Sequence, residues 1–327
     1  MKKYKSYILL LMVFFVACEE ELDMGADKNQ PLPVVYCLFA QQDSIHQVVL
    51  TKTINGNENP QKMAKIFDSL YFKEAEVYFE YEWEEESKRI YLEKKLLYDK
   101  EPGFFSNPDH IVFQTAELIP YVRHIGLYVD VPGLPLASSN IVMWKPFWYT
   151  LANISNGSQI AISEENSWKI KVEKDYGSVW NGYRAAEIEI DIIEEYNNSD
   201  QKVIKICFFK DRIPYTGQPN YIAISWNLLI GETYSSIEKN SNVTYRKFGK
   251  IKLKFSGAGP GFTKYITSKK DELDNYYDRI PTYTNITNGI GLFSSWEYII
   301  IDSLQIDYYS RKELVKDPRL QELKFVY

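Results

Sequence analysis

Hydrophobic and polar residues alternate with a period of two along much of the chain, which is the pattern of β-strands with one buried face. In residues 76–83, large apolar side chains alternate with Glu or Tyr, and residues 89–95 can return as a second strand. In residues 186–192, Ala and Ile alternate with Glu and Asp in the same way. We predict a β-hairpin in the first stretch and a half-buried strand in the second.

Short apolar runs separated by turn residues continue the same pattern. They predict strands at Val34–Phe39, Ile45–Ile54, Ile111–Leu118, His124–Val131, Trp168–Glu173, Val203–Phe209, Tyr221–Ile230, Ile251–Phe255 and Tyr298–Tyr308. Helical spacing is confined to a short turn in 61–67 and a helix in 262–277. Many short strands with frequent turns favour β-sandwiches.

The fold class that follows is all-β in the main, with two β-sandwich-like domains and one or two short helices. A length of 327 residues suits two domains of ordinary size. A run of Gly, Pro and Ser follows the strand that begins at His124, so we place the boundary near residue 140. The N-terminal domain is then 32–140 and the C-terminal, β-rich domain is 141–327.

The first residues have the pattern of a secretory signal peptide. Three lysines in residues 1–5 precede an apolar run in 7–17, which is too short to span a membrane as a helix. Phe15-Val16-Ala17-Cys18 resembles the lipobox of bacterial lipoproteins, although Phe15 replaces the usual Leu. We expect a signal peptide in 1–17, lipidation of Cys18, and attachment to a membrane through that lipid.

Residues 18–31 predict an acidic tether. Glu19, Glu20, Glu21 and Asp23 follow Cys18 directly and Pro31 ends the segment. A run of like charges is typical of a solvated linker. It also resembles the surface-export signal of Bacteroidota-type lipoproteins, which implies an outer-membrane, surface-exposed location.

Net charge and residue usage exclude several classes of function. The formal charge is −6, and loss of the signal peptide removes Lys2, Lys3 and Lys5. An acidic body does not suit nucleic acid. His46, His110 and His124 are not paired at metal-ligand spacing, and no Cys-x-x-Cys occurs. We therefore expect no metal, no cofactor and no catalytic residues.

The remaining cysteines, Cys37 and Cys207, lie in separate apolar strands. The compartment is oxidising, so a disulfide between them is possible. We favour two buried free thiols, because the apolar surroundings of each suit a small buried side chain.

One aromatic segment, Met143–Tyr149, is a candidate binding surface. Trp144, Phe147, Trp148 and Tyr149 could form a platform for a sugar ring or a partner protein. We favour packing of these residues between the two domains, because most large aromatic side chains are buried.

Three further motifs have ordinary structural interpretations. Ser256–Phe262 is rich in glycine, but its spacing and Pro260 do not suit a phosphate loop, so we expect a tight turn with positive φ. Glu84–Glu86 suits a solvated hairpin tip better than a calcium loop. A hydrolase would need Glu187 and Asp191 in one cleft, and we expect them on the wet face of a sheet.

Three tripeptides resemble the O-glycosylation acceptor of Bacteroidota-type exported proteins. They are Asp43-Ser44-Ile45, Asp68-Ser69-Leu70 and Asp302-Ser303-Leu304. The sequence is equally typical of turns and strand starts, so both interpretations stay open.

The segments 33–48, 62–72 and 283–295 together resemble uncharacterised Bacteroidota outer-membrane lipoproteins that carry a domain of unknown function. The resemblance implies an envelope lipoprotein with a β-sandwich-like N-terminal part, of the kind that accompanies a TonB-dependent transporter. We therefore expect a non-catalytic binding or accessory module whose partner is a transporter, a surface glycan or a peptide. The alternative is a structural or adhesive surface protein, such as a pilus-like or assembly component.

Overall fold

The computed structural model describes residues 30–54, 59–98, 109–143, 148–151, 154–155, 158–173, 182–212, 221–274 and 283–327. The strands in these ranges are β1 Pro33–Phe39, β2 His46–Lys52, β3 Glu76–Trp83, β4 Glu86–Tyr91, β5 Glu93–Leu97, β6 His110–Thr115, β7 His124–Asp130, β8 Ala137–Val142, β9 Trp148–Leu151, β10 Ile154–Ser155, β11 Gln159–Ile160, β12 Trp168–Glu173, β13 Arg184–Tyr196, β14 Gln201–Arg212, β15 Tyr221–Ile224, β16 Val243–Ala258 and β17 Ile290–Ile306. The helices are α1 Pro60–Met63, α2 Phe67–Leu70, α3 Trp226–Ser236, α4 Pro260–Asp274, α5 Tyr308–Leu314 and α6 Pro318–Glu322. The prediction of a mainly β, sandwich-like fold with few short helices is confirmed.

One large sheet runs through the described part of the chain in the order β14-β13-β16-β17-β1-β2-β6-β5, with β10 and β11 attached beside β17. A four-stranded sheet, β4-β3-β7-β8, and a three-stranded sheet, β15-β12-β9, complete the strand layers. The strand pairs of the large sheet are antiparallel except for β1 with β17 and β11 with β17, which are parallel.

Two large hydrophobic cores lie against the large sheet in the described residues, besides a small cluster around Tyr183. The first contains Val35, Phe39 and Phe293 from that sheet together with Phe79 and Leu127 from the four-stranded sheet. The second joins β13, β14 and β16 to β12, β15, α3 and the C-terminal helices. Residues Ile286 and Phe293 belong to the first core although they follow residue 140 in the chain. The domain boundary near residue 140 stays a prediction.

Strand β17 is the element that both cores share. Its first half pairs in parallel with β1, from Val34 opposite Ile290 to Phe39 opposite Ser295. Its second half pairs with β16, from Ala258 opposite Trp296 onward. Side chains two residues apart on a strand share a face, so the two cores lie on one side of this strand.

Gly291 allows β1 and β17 to approach each other. Its φ is +123°, a value that L-residues rarely adopt, and a Cβ atom built there would lie 1.9 Å from the carbonyl oxygen of Val35. No other residue type fits this position without moving the backbone of one strand. The parallel pairing therefore depends on a glycine at this point.

A buried ion pair fixes the C-terminal segment to the second core. Arg246 on β16 and Glu194 on β13 are 1% and 5% exposed, and Nε of Arg246 donates to Oε1 of Glu194 at 2.8 Å. The guanidinium also donates to the carbonyl oxygens of Leu323, at 2.8 Å, and Glu238, at 3.2 Å. Tyr196 donates its hydroxyl to the second Glu194 oxygen at 2.8 Å. Such complete satisfaction offsets the cost of burying both charges.

Local sequence signals were misinterpreted at two strand ends. The predicted strand 221–230 stops at Ile224, because the Ser225 side chain accepts from the N–H of Leu228 and caps helix α3. Asp307 likewise accepts from the N–H of Ser310 and begins helix α5, so β17 ends at Ile306. The predicted helix in 262–277 is present as α4.

We predict that Gly291→Ala lowers the free energy of unfolding by more than about 3 kcal/mol, because strain at positive φ adds to a collision with β1. Gly133→Ala is the matched control: its φ is +82°, and a Cβ there meets nothing within 4 Å. Its cost should be about 1 kcal/mol. Denaturant unfolding measures both, and equal losses would contradict the role assigned to close approach.

We predict that Arg246→Met lowers stability by about 3–5 kcal/mol, since it leaves the Glu194 carboxylate buried without its partner. The double variant Arg246→Met, Glu194→Leu should recover part of that loss in the same unfolding measurement. Lys316→Met, which breaks the exposed pair with Glu313, should change stability by less than about 0.5 kcal/mol. A single variant no worse than the double would refute the proposed ion-pair role.

Candidate functional site

A groove of about 360 Å³ lies between the outer face of β1 and β2 and the first turns of α4. Its lining from the strands and the β1–β2 turn is Tyr36, Cys37, Leu38, Phe39, Asp43, Ile45, His46, Gln47, Val49 and Leu292. Helix α4 contributes Phe262 and Tyr265.

Strand alternation places apolar side chains on this outer face. On β1, Val35 and Phe39 point into the first core, so Tyr36 and Leu38 point the other way. Leu38, Ile45 and Val49 remain 42%, 45% and 38% exposed. In the described part of the chain no layer covers these residues, so they form an available apolar surface.

Helix α4 forms the aromatic wall of the groove. The rings of Tyr36 and Tyr265 are 6.1 Å apart at an interplanar angle of 70°. Phe262 and Ile266 hold the helix on the sheet by packing with Trp296 and Tyr183. The helix therefore stands beside β1, and within the described residues it does not cover the outer face of β1 and β2.

The glycine-rich segment before α4 serves close packing. Our expectation of positive φ in this segment was wrong. Among the described glycines, positive φ occurs at Gly133 and Gly291, which lie elsewhere in the chain. Instead, a Cβ at Gly259 would lie 2.5 Å from Oγ of Ser295. The N–H of Phe262 is taken by Oγ of Ser294 at 3.1 Å. The helix start is thus used for docking on β17.

The polar rim of the groove is centred on Asp43. Tyr298 donates its hydroxyl to Oδ1 of Asp43 at 2.9 Å, and this hydrogen bond, with burial, raises the pKa of Tyr298. His46 is stacked on Phe39 with ring centroids 4.5 Å apart. Burial lowers the pKa of His46, while Asp43 acts in the opposite sense. The rim thus presents the Asp43 carboxyl group, while the imidazole of His46 lies among the aromatic side chains of the first core.

The candidate residues from the sequence do not coincide with the groove. Trp144 and Phe147, like Cys18, lie outside the described residues. The backbones of Trp148 and Tyr149 belong to β9 and pair with Glu173 and Val172 on β12. The binding role of this segment stays a prediction.

The groove residues were missed because Tyr36 and Leu38 were interpreted only as part of a strand. The signal that could have indicated the groove is the continuous apolar sequence of residues 34–39, which places apolar side chains on both faces of the strand. A β-strand with one wet face would have carried polar residues at 36 and 38.

The two cysteines are free, and one of them is exposed. Cys37 is buried in the first core, and burial strongly raises its pKa. The prediction of a second buried thiol was wrong for Cys207. Its neighbours Ile206 and Phe208 face the core, so its own side chain points outward, towards Glu189.

The other candidate groups do not converge on a reactive site within the described ranges. Glu187 lies opposite Lys254, and Asp191 opposite Lys205, on the outer face of the large sheet. The three histidines lie on β2, β6 and β7. The hairpin tip at Glu84 and Glu85 adopts positive φ in a two-residue turn.

No group of three or more His, Cys, Asp or Glu side chains within the described residues is arranged to hold a metal ion. In the same residues, no helix has the length and apolar character needed to cross a membrane.

The three Asp-Ser-aliphatic tripeptides differ in accessibility. Ser44 and Ser303 are exposed. Ser69 is half-buried, and its hydroxyl donates to the carbonyl oxygen of Ile66 at 2.6 Å. Modification at the first and third sites would meet less steric hindrance than at the second.

Comparison with known proteins adds little to this geometry. No family model and no curated protein matches the chain. Among solved structures it is similar to the C-terminal globular domain of oligosaccharyltransferase from Pyrococcus abyssi, at 12% identity with a TM-score of 0.19. The match covers 83% of this chain and 45% of that chain. A TM-score of this size supports no argument about fold or function.

A buried carboxyl group lies on β17 between the two cores. Glu297 lies between Phe293 of the first core and Ile299 of the second on the shared face of β17, and it is 8% exposed. Its Oε2 has no hydrogen-bond partner among the described residues. Burial raises the pKa of Glu297 to about 7 from its ordinary 4.5.

We predict that Glu297 makes the protein less stable as pH rises from about 5 to 8. The folded state holds this proton more tightly than the unfolded state, so stability falls between the two pKa values, on the order of 2 kcal/mol in total. Glu297→Gln should flatten that part of a pH series of unfolding midpoints. Glu165→Gln, at an exposed position, should show the same pH dependence of stability as the wild type. Identical pH profiles for all three proteins would contradict the prediction.

Proposed function

We propose that this chain is an outer-membrane lipoprotein, anchored through Cys18, that acts as a non-catalytic binding or accessory module. The observation that carries the proposal is the groove between β1, β2 and α4. The anchor, the acidic tether and the surface location rest on the sequence patterns of residues 1–31.

The groove has the composition of a recognition site. A volume of about 360 Å³ lies in the range of small-molecule sites. Its walls are mostly apolar and aromatic, and Asp43 and Gln47 supply polar groups at the rim. A few polar groups among apolar walls fix the orientation of a bound molecule.

The same groups support binding rather than catalysis. Oδ1 of Asp43 accepts a hydrogen bond from Tyr298, His46 is stacked inside the core, and the Cys37 thiol is buried with a raised pKa. A nucleophile, a base and an orienting group would have to meet for reaction chemistry. We therefore propose a module that is not an enzyme.

A TonB-dependent transporter is the partner that we propose for this module, following the resemblance to transporter-associated lipoproteins. The lipid anchor would keep both proteins in one membrane, which raises their effective concentration for each other. A glycan or peptide delivered through the groove would fit such a role.

The alternative is a structural or adhesive surface protein that joins partners by strand addition. Strand β14 ends the large sheet in the described part of the chain, and Val203 and Phe209 are 54% and 59% exposed on it. However, Lys202, Lys205 and Lys210 lie along the same strand. Lysines on an edge strand oppose pairing with another strand, so the binding module is favoured.

We predict that a C-terminally tagged, lipidated chain extracted from outer membranes co-purifies with a stoichiometric transporter. The double variant Leu38→Glu, Val49→Lys should lose that partner because it places charges on the groove wall. Ile300→Lys is the control, since Ile300 is 52% exposed on β17 outside the groove lining.

The same preparations test the anchor: Cys18→Ala should move the chain from the membrane pellet to the soluble fraction, and protease treatment of intact cells should cleave the wild-type body. A chain that elutes alone, with no ligand, in wild type and variants would refute the accessory role. Self-association of the pure chain would instead support the adhesive alternative.

A further inference from the structure

We propose that the groove between β1, β2 and α4 binds a small organic ammonium compound, with its cationic group between Asp43 and the aromatic rings of Tyr36 and Tyr265. This inference deepens the proposed function, because it rests on the groove being a binding site. It assigns a ligand class from charge and ring chemistry.

The charge of the groove favours a cation. Asp43 is the acidic side chain among the described residues of the lining, which include no Lys or Arg. Tyr298 occupies one of its carboxylate oxygens, so the second remains available as an acceptor. The nearby lysine, Lys254, lies over the ring of Tyr298 with Nζ 4.8 Å from the ring centroid, and it is not part of the lining.

The histidine in the lining does not cancel this charge. His46 is 4% exposed, stacks on Phe39 and meets the edge of Phe79. This apolar stack disfavours a charged imidazole at neutral pH. Among the described lining residues, Asp43 is therefore the side chain that favours a cation over an anion.

The aromatic side chains supply the second half of the recognition. Tyr36 and Tyr265 meet at 70° and form a corner, beside which Phe262 adds a third ring. The faces of such rings carry partial negative charge and attract a cation within about 6 Å of the ring centroid. Leu38 and Val49 then provide apolar contact for alkyl groups on the nitrogen.

Volume limits the size of the ligand. About 360 Å³ accommodates a compact ammonium compound with a short alkyl chain. The start of α4 is the counter-influence, because the N-terminal end of a helix favours anions. A test must therefore compare a cation with neutral and anionic molecules of the same shape.

Isothermal titration of the full lipidated chain in detergent micelles provides this test, with choline, its neutral isostere 3,3-dimethyl-1-butanol, and 3,3-dimethylbutanoate as probes. We expect saturable binding of choline, binding of the neutral isostere at least about tenfold weaker, and no binding of the carboxylate. The affinity for choline should fall as salt concentration rises.

Three variants test the assigned residues. Asp43→Asn keeps an acceptor for Tyr298 but removes the charge, and Tyr265→Leu keeps an apolar side chain but removes the ring. Each should weaken choline binding about tenfold, whereas Tyr265→Phe should keep the affinity within about threefold. Tyr309→Leu, at a position 78% exposed outside the groove, is the control, and thermal unfolding verifies that each variant is folded.

The outcomes separate this inference from the proposed function. Equal binding of choline and the neutral isostere, or tighter binding of the carboxylate, would overturn the ammonium assignment and leave a groove that binds other ligands. Co-purification of a transporter with no binding of any probe would also overturn the assignment alone. If no probe binds and no partner co-purifies, both proposals are overturned together.

Discussion

The close approach of β1 to β17 at Gly291 is the constraint on which the rest of the structure depends. It allows one strand to enter the first core at Phe293 and the second core at Ile299. Without that passage the ten-stranded sheet would divide, since β17 is the described strand that pairs with both β1 and β16. The carboxyl group of Glu297 lies where the two apolar clusters meet, so the junction contains a buried titratable group.

The groove is a second consequence of the same arrangement. Helix α4 packs on β17 through Phe262 and Trp296, while the neighbouring β1 and β2 receive no helix of their own within the described residues. An apolar outer face therefore persists beside an aromatic wall. Asp43 at the rim accepts a hydrogen bond from Tyr298 on β17. The rim is therefore fixed by β17, the same strand that contributes to both cores.

The sequence predicted the strands with regular alternation well, because burial of one face leaves a period-two signature in residues 76–83 and 186–192. It did not predict where Ser225 and Asp307 end strands, since a capping side chain competes locally with strand extension. It also could not show that Tyr36 meets Tyr265 or that Gly291 faces Val35. Those neighbours are separated by most of the chain, and only strand order brings them together.

The parallel pairing of β1 with β17 has a consequence for how the protein forms. Gln42, just after β1, donates to the carbonyl oxygen of Tyr298 across 256 residues of sequence. The first core therefore cannot close until nearly the whole polypeptide is available, since Phe293 is the last member of this core along the chain. Such long-range closure is slow and exposes strand edges meanwhile. Closure of the first core is then a late event in folding, because the N-terminal strand β1 can pair only after its C-terminal partner β17 has been made.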